Sequence, residues 1–331
     1  MNAFADLRLP LLQAPMFLVS SARLASACAS AGIVGAFQLA NPTNEAELEQ
    51  WLDELAKTEA ARRARGEPFG PICVNVNARS IHRPGYRERF ACVERARVPL
   101  ILSSIGDPAE VVARAHAWGG RVIHDVTTLR FADKAIEAGV DGLMLTCAGA
   151  GGHNGSLAPF AFLPQVRERF DGLIVLAGAI AEPNGVRGAL ALGADLVCMG
   201  TRFVATRESA APEAYRRMLV NAGTHDVLET DAIAGLTANW LKPSIVAQGL
   251  DPENLPAPHG LHRPNLPEGV KAWRNVWSGG HSTGLIDDVP TVAELAARFE
   301  QALADDLEPG WQSRVAGRLG LPAPPPSCSN G

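Results

Sequence analysis

Residues 138–145 read AGVDGLML, and residues 192–199 read LGADLVCM. Each phrase has a glycine suited to the left-handed position that ends a helix, an aspartate two residues later, and then an apolar run of strand length. A helix that stops on glycine and hands over to a buried strand is one unit of a βα repeat. Working outward, similar apolar, β-branched runs occur at Leu11–Met16, Ile33–Gln38, Ile72–Asn77, Pro99–Ser104, Arg121–Val126, Gly142–Cys147, Leu173–Gly178 and Ala194–Gly200. Strands this uniformly apolar are covered on both faces, as parallel strands are. Between them the spacing predicts helices over Glu45–Arg65 (capped by Asn44), Pro108–Trp118, Leu129–Ala138 and Asn184–Leu192. Eight such units in roughly the first 205 residues predict an α/β fold, a (β/α)₈ TIM barrel. A doubly wound sheet is the alternative that repeat counting alone leaves open.

The texture changes after Glu208. Ala210–Gly223 and Glu229–Leu236 have helical spacing, whereas Lys242–Pro267 is broken by Pro and Gly. Residues 209–290 are therefore expected to form a helical insertion, a lid subdomain over one barrel end, anchored by Trp240, Trp273 and Trp277. Thr291–Asp305 is a clean amphipathic helix that returns to the barrel wall. The expected organisation is a barrel from 1–208 and 291–321, a lid from 209–290 and a disordered tail from 322–331.

Composition excludes several classes. The 331 residues are 47% hydrophobic and 20% charged, with a formal charge of −5, which suits a globular core and not a nucleic-acid binder. Six cysteines are scattered without a CxxC pair, as in a reduced, cytoplasmic protein. No apolar stretch has the length of a membrane span, and no histidine pair has metal-ligand spacing, so neither membrane nor metal is expected. A G-x-G-x-x-G fingerprint and a Walker loop are both missing.

Function in a barrel sits where the strands end. The loop after the sixth strand runs Thr146–Ser156, with Ala150, Gly151 and Gly152 leading into His153. Small residues allow close backbone approach to a ligand and leave His153 as the strong acid–base group there, although a surface histidine on a flexible loop fits the same string. The loops after the seventh and eighth strands offer Ala177, Gly178 and Ala179, then Met199, Gly200 and Thr201, as backbone donors for a phosphate. Arg202 suits either a phosphate or an ion pair with Glu208. Pro15 and Met16 at the first strand's end, with Asn75 in the third, suit the face and polar edge of an aromatic ring. His124 reads as core or barrel mouth.

Together, LLQAPM (11–16), VNVN (74–77), AGAGGHNG (148–155), LAGAI (176–180), GADLVCMGTRF (193–203) and VWSGGHSTGLIDD (276–288) resemble the nitronate monooxygenase family, formerly 2-nitropropane dioxygenases. The resemblance runs from about Leu9 to Leu303. It implies non-covalent FMN, with Gln13, Ala14, Pro15 and Met16 along the isoalloxazine and Asn75 at its polar edge. Ala150, Gly151 and Gly152 would follow the ribityl chain. Ala177, Gly178, Ala179, Met199, Gly200 and Thr201 would surround the phosphate, and His153 matches the family's catalytic histidine. The implied reaction is oxidation of an alkyl nitronate by O2 to a carbonyl compound and nitrite. The AGGH element is shared with FMN-dependent enoyl-[acyl carrier protein] reductases and NADH:quinone reductases, so an NAD(P)H-linked reductase is the alternative enzyme. A non-catalytic flavin-binding protein is the alternative of another class. The partners implied are a small-molecule substrate and O2, with a homodimer left open. Three positions depart from the family's pattern: Asp125 stands where a lysine is frequent, Thr146 where some relatives have an acid, and Ala179 where a second glycine is usual.

Overall fold

The computed structural model describes residues 3–322. Strands β1 (Leu11–Gln13), β2 (Gly35–Gln38), β3 (Ile72–Asn77), β4 (Leu100–Ser104), β5 (Arg121–Val126) and β6 (Gly142–Thr146) come first. A two-residue strand, β7 (Gly152–His153), then leaves the barrel, and β8 (Leu173–Ala177) and β9 (Leu196–Met199) complete it. Outside it, β10 (Val227–Thr230) and β11 (Ala238–Leu241) pair antiparallel. The eight barrel strands are parallel, in the order β1-β9-β8-β6-β5-β4-β3-β2, with helices packed outside. The fold is the (β/α)₈ barrel.

The two matching sequence phrases do matching work. Gly139 and Gly193 end their helices at φ 81° and 108°. Asp141 then accepts from Val122 N at 2.8 Å, and Asp195 from Ile174 N at 2.9 Å. Each carboxylate thus pins the entering strand to a neighbouring strand.

The ring closes between β1 and β2 through a single bridge, Leu12 to Val34. Gln13 extends that junction with its side chain, which is wholly buried. Its Oε1 accepts from Ala36 N at 2.9 Å, while Nε2 donates to Ser20 Oγ at 2.9 Å and to the Ala14 carbonyl. The Gln13 side chain therefore turns away from the mouth, and its part in any site is to fix the turn that follows.

Alternate strand residues fill the barrel interior: Leu12, Val34, Ala36, Cys73, Leu100, Leu102, Ile123, Met144, Val175 and Cys198. The lower end is plugged by Phe4 and Leu7 from the N-terminal turn and by Trp311, Val315 and Leu319 from helix Trp311–Arg318, which was not anticipated. The open end is where the strands terminate.

One element differs from its reading. Glu229–Leu236 is not a helix: residues to Thr230 belong to β10, and the chain then turns, Gly235 N donating to Asp231 O at 2.7 Å, into β11. β11 also pairs with β7, giving a three-stranded antiparallel sheet where a helical insertion was expected. β-branched and aromatic residues there gain more by pairing than helical spacing offers. Of the tail from 322 on, residues 323–331 lie outside the described residues.

Replacing Gln13 with Leu strands the Ala36 N–H in the closing seam, while the Ser20 hydroxyl keeps Met16 N and the Ala14 carbonyl. A stranded buried N–H costs roughly 1–3 kcal/mol, so urea unfolding of Gln13→Leu is expected to show a loss of that size.

Candidate active site

Continuing the inward alternation by one step places Ala14, Gln38, Asn75, Asn77, Ser104, Asp125, Thr146 and Ala177 on the top interior layer. The mouth is therefore divided. One half, from β8 through β9 to β1, is lined by Ala177, Gly200, Ala14 and Met16, and a Cβ on Gly200 would lie 3.5 Å from Ala14 Cβ and 3.7 Å from Met16 Sδ. The other half, β2 to β6, is polar. Asn75 Nδ2 donates to Leu102 O at 2.8 Å and Ser104 Oγ at 3.2 Å, and its Oδ1 accepts from no described residue.

Three mouth loops and residues 279–281 converge through backbone groups and two side chains. His281 N donates to Gly149 O at 2.9 Å, and Gly280 N to Thr201 Oγ1 at 3.0 Å. Asn239 Nδ2, from β11, donates to Ala150 O at 2.8 Å. A Cβ on Gly280 would stand 2.5 Å from Gly149 O and 2.7 Å from Gly151 N, so only glycine permits this approach. Gly178 has φ 131°, and a Cβ there would meet Ala148 O at 3.1 Å. Ala179 sits in the left-handed region at φ 56°, where the usual glycine is at ease and alanine is strained.

His153 is carried on β7, opposite Ala238 of β11. Its ring lies 5.4 Å from that of Trp273, which in turn lies 4.3 Å from Trp240. The imidazole reaches solvent while protein crowds around it, as a side chain in a cleft does. That crowding, together with His262, lowers its pKa from the ordinary value and so favours the uncharged ring.

Two of the departures from the family's pattern turn out to be partners. Thr146 Oγ1 donates to Asp125 Oδ1 at 2.5 Å, and burial raises the Asp125 carboxyl to about 6 despite that bond. His124 faces outward, its Nδ1 2.7 Å from Ser103 Oγ, and burial holds it down at about 4. Arg202 takes neither expected role: its guanidinium is buried, 3.2 Å from Asp288 Oδ1 and 2.7 Å from Asp288 O. The sequence left it between phosphate and Glu208 because Asp288 lies 86 positions away.

Gln38, Asn77, Ser104, Asn239 and His262 were not singled out from sequence, and Trp273 was expected only as an apolar anchor of the lid. The two-residue spacing of Asn75 and Asn77 could have signalled the second asparagine. Trp273 and His262 come from a stretch without periodicity and carry no such signal. Buried Asn77 Oδ1, Asn154 Oδ1, Asn239 Oδ1 and Trp240 Nε1 lack partners among the described residues, and they gather at the mouth and its cover. Asp6 Oδ2, Arg202 Nε and Glu300 Oε1 also lack a hydrogen-bond partner among the described residues but lie outside this group, and a group of such atoms is where a ligand or water belongs.

The nitronate monooxygenase family profile matches residues 39–298. The chain belongs to the nitronate monooxygenase family. A nitronate monooxygenase of Paraburkholderia phytofirmans is 27% identical, over 90% of this chain and 93% of that one. The Mycobacterium tuberculosis enzyme (3aS,4S,5R,7aS)-5-hydroxy-7a-methyl-1-oxo-octahydro-1H-indene-4-carboxyl-CoA dehydrogenase is 30% identical over 72% of this chain, which spans only 64% of that relative. The solved nitroalkane oxidase of Streptomyces ansochromogenes shares the fold at TM-score 0.71 and 24% identity, over 92% of this chain and 99% of that one. Among the described residues no helix is long and apolar enough to cross a membrane.

Gly280→Ala tests the glycine contact between loop and cover. The barrel is expected to fold with a lowered Tm, and residues 209–290 are expected to be cleaved faster in limited proteolysis. Unchanged cleavage would show that the contact does not hold the segment in place.

Proposed function

We propose that the protein is an FMN-dependent nitronate monooxygenase, converting an alkyl nitronate, or the nitroalkane that yields it, with O2 to a carbonyl compound and nitrite. The observation that carries this reading is the divided mouth ringed by glycine backbone. A flat isoalloxazine has one apolar edge and one hydrogen-bonding edge, and the two halves of the mouth suit them. Ala14, Pro15 and Met16 would bear on the ring, with Asn75 Oδ1 as an acceptor for a ring N–H. The loops at Ala150, Gly151 and Gly152, Ala177, Gly178 and Ala179, and Met199, Gly200 and Thr201 would hold the ribityl phosphate through backbone N–H groups and the Thr201 hydroxyl. One phosphate cradle and no adenosine fold favour FMN over FAD as the cofactor released by heat.

Bound there, the flavin supplies the electron acceptor that protein side chains lack. His153, neutral at pH 7, takes the proton from the carbon beside the nitro group and, once protonated, neutralises the nitronate it has formed. Trp273 fixes the imidazole face, and the segment from Gly279 to His281 shields the loop behind it from water. The buried reduced thiols suit a cytoplasmic setting.

The carboxyl-CoA substrate in the name of the mycobacterial relative favours one second reading, an NAD(P)H-linked enzyme acting on a thioester. The visible spectrum under anaerobic conditions separates them: bleaching by nitronate alone supports the first, and bleaching by NAD(P)H the second. A yellow protein inert to both would leave the non-catalytic reading standing.

His153→Asn is expected to keep the flavin and to lower turnover of a neutral nitroalkane by ~10²–10⁴-fold, with a much smaller loss on preformed nitronate. Equal activity of variant and parent on the nitroalkane would remove His153 from the mechanism. For the parent, kcat/KM with the nitroalkane is expected to be level at neutral pH and to fall on acidification only below the ordinary imidazole range, because the lowered pKa keeps the base free further into acid.

A further inference from the structure

Asp125 is the ionisable side chain on the top interior layer, where its neighbours are Asn75, Asn77, Ser104, Thr146 and Ala177. Its orientation follows from β5, in which Ile123 faces the barrel interior and Asp125 lies two residues on, and from β6, in which Met144 faces inward and Thr146 two residues on reaches Asp125. The carboxyl is half-buried, Thr146 is the side chain that donates to it, and no cation among the described residues bears on its charge. The remaining titratable groups near it are thiols. Cys147, after β6, is held up at about 12, and Cys198, on β9, is raised further, both partly by the Asp125 charge. His124 on the same strand points out of the barrel to Ser103.

A mouth meant for a preformed anion would place a cation on this layer. This one places a carboxyl there and sets its neutral base, His153, on the covering sheet. We propose that Asp125 is a specificity-determining residue that makes the site prefer the neutral, still protonated form of its substrate over the corresponding anion. The proposal rests on the proposed function, with substrate seated beside the isoalloxazine's polar edge at Asn75 and within reach of Asp125. Substrate then enters uncharged, is deprotonated by His153, and becomes anionic only after it is bound. A carboxylate within several ångströms of a bound anion disfavours it on the order of ten- to a hundred-fold at the effective dielectric of a protein mouth.

The test compares the parent with Asp125→Asn, whose amide oxygen can still accept from Thr146. The expected result is that the ratio of KM for propyl-2-nitronate to KM for 2-nitropropane falls on the order of ten-fold or more in Asp125→Asn at pH 8. In the parent the nitronate KM is also expected to fall as pH drops from about 8 through 6, as Asp125 takes up its proton, and Asp125→Asn should lose that dependence. A merely structural role would move neither the ratio nor the pH profile, and an unchanged ratio, or a nitronate KM that rises in the variant, overturns the proposal. Calorimetric titration with benzoate and its neutral isostere benzamide gives the same comparison without turnover. If the parent oxidises neither nitro compound, the reaction reading fails; a benzoate-to-benzamide affinity ratio that rises in Asp125→Asn would still support the charge preference, and an unchanged ratio, or no binding of either, would overturn it.

Discussion

The rest of the mouth depends on one buried amide. Between β1 and β2 the barrel has a single bridge, so its circumference is closed by the Gln13 side chain as much as by backbone. The same amide reaches Ser20, whose hydroxyl accepts from Met16 N at 2.8 Å and donates to Ala14 O at 3.0 Å. Asn41 completes the knot, donating to Met16 O at 2.9 Å and Ser20 O at 2.7 Å and accepting from Leu18 N at 3.1 Å. The turn from Ala14 to Ser20 is therefore fixed by three side chains, which hold Ala14 and Met16 against Gly200. Loosening Gln13 would open the barrel at its weakest seam and displace the apolar half of the mouth together.

The opposite wall is held differently. Residues 149–151 and 279–281 approach so closely that no side chain fits between them, and the contact is made of backbone hydrogen bonds and the Thr201 hydroxyl. Glycine makes such contact available at the cost of chain entropy on folding. That cost is offset by the segment's own apolar cluster of Ile233, Ala238, Trp240, Ile245 and Val276, and by a second cluster joining Val19, Val204, Tyr215, Leu219 and Leu241 across the barrel end. Arg202, buried against Asp288, ties the end of β9 to the same returning chain.

What the sequence made legible and what it hid follow from the range of the interactions. The eight strands, the helix-ending glycines and the aspartates that pin neighbouring strands are local patterns, and each was readable. The position of the glycine loops and of His153 at the strand ends was readable because loops after barrel strands have a known place. Three things were not local. The part Gln13 plays in the closing seam was hidden because its partners, Ser20 and Ala36, are brought to it only by closure. Glu229–Leu236 looked helical because its pairing partner, β7, is a two-residue strand after a different barrel strand. The Asp125–Thr146 bond was invisible because two departures from a family's pattern, read separately, give no hint that they face each other.

Strain follows the same division of the molecule. Among the described residues, positive φ at a residue other than glycine occurs at Leu18, Arg97, Ile105, Ala179, His262 and Trp273. All but Arg97 lie in mouth loops or in the covering segment. Ile105 is the sharpest case, since a β-branched residue at φ 55° is costly and its side chain is also 42% exposed. Its carbonyl is held by Arg79 N at 3.0 Å, so the loop after β3 fixes the loop after β4. Each such residue costs on the order of 1–3 kcal/mol, and persists only where the surroundings over-determine it. The closed lower half, with Phe4, Leu7 and Trp311 packed into the barrel floor, carries one such residue, Arg97 just before β4, and so much less of the strain than the upper half. A barrel plugged at one end can hold the other end in conformations that a free loop would leave, which keeps His153, Trp273 and the polar rim in place before a substrate arrives.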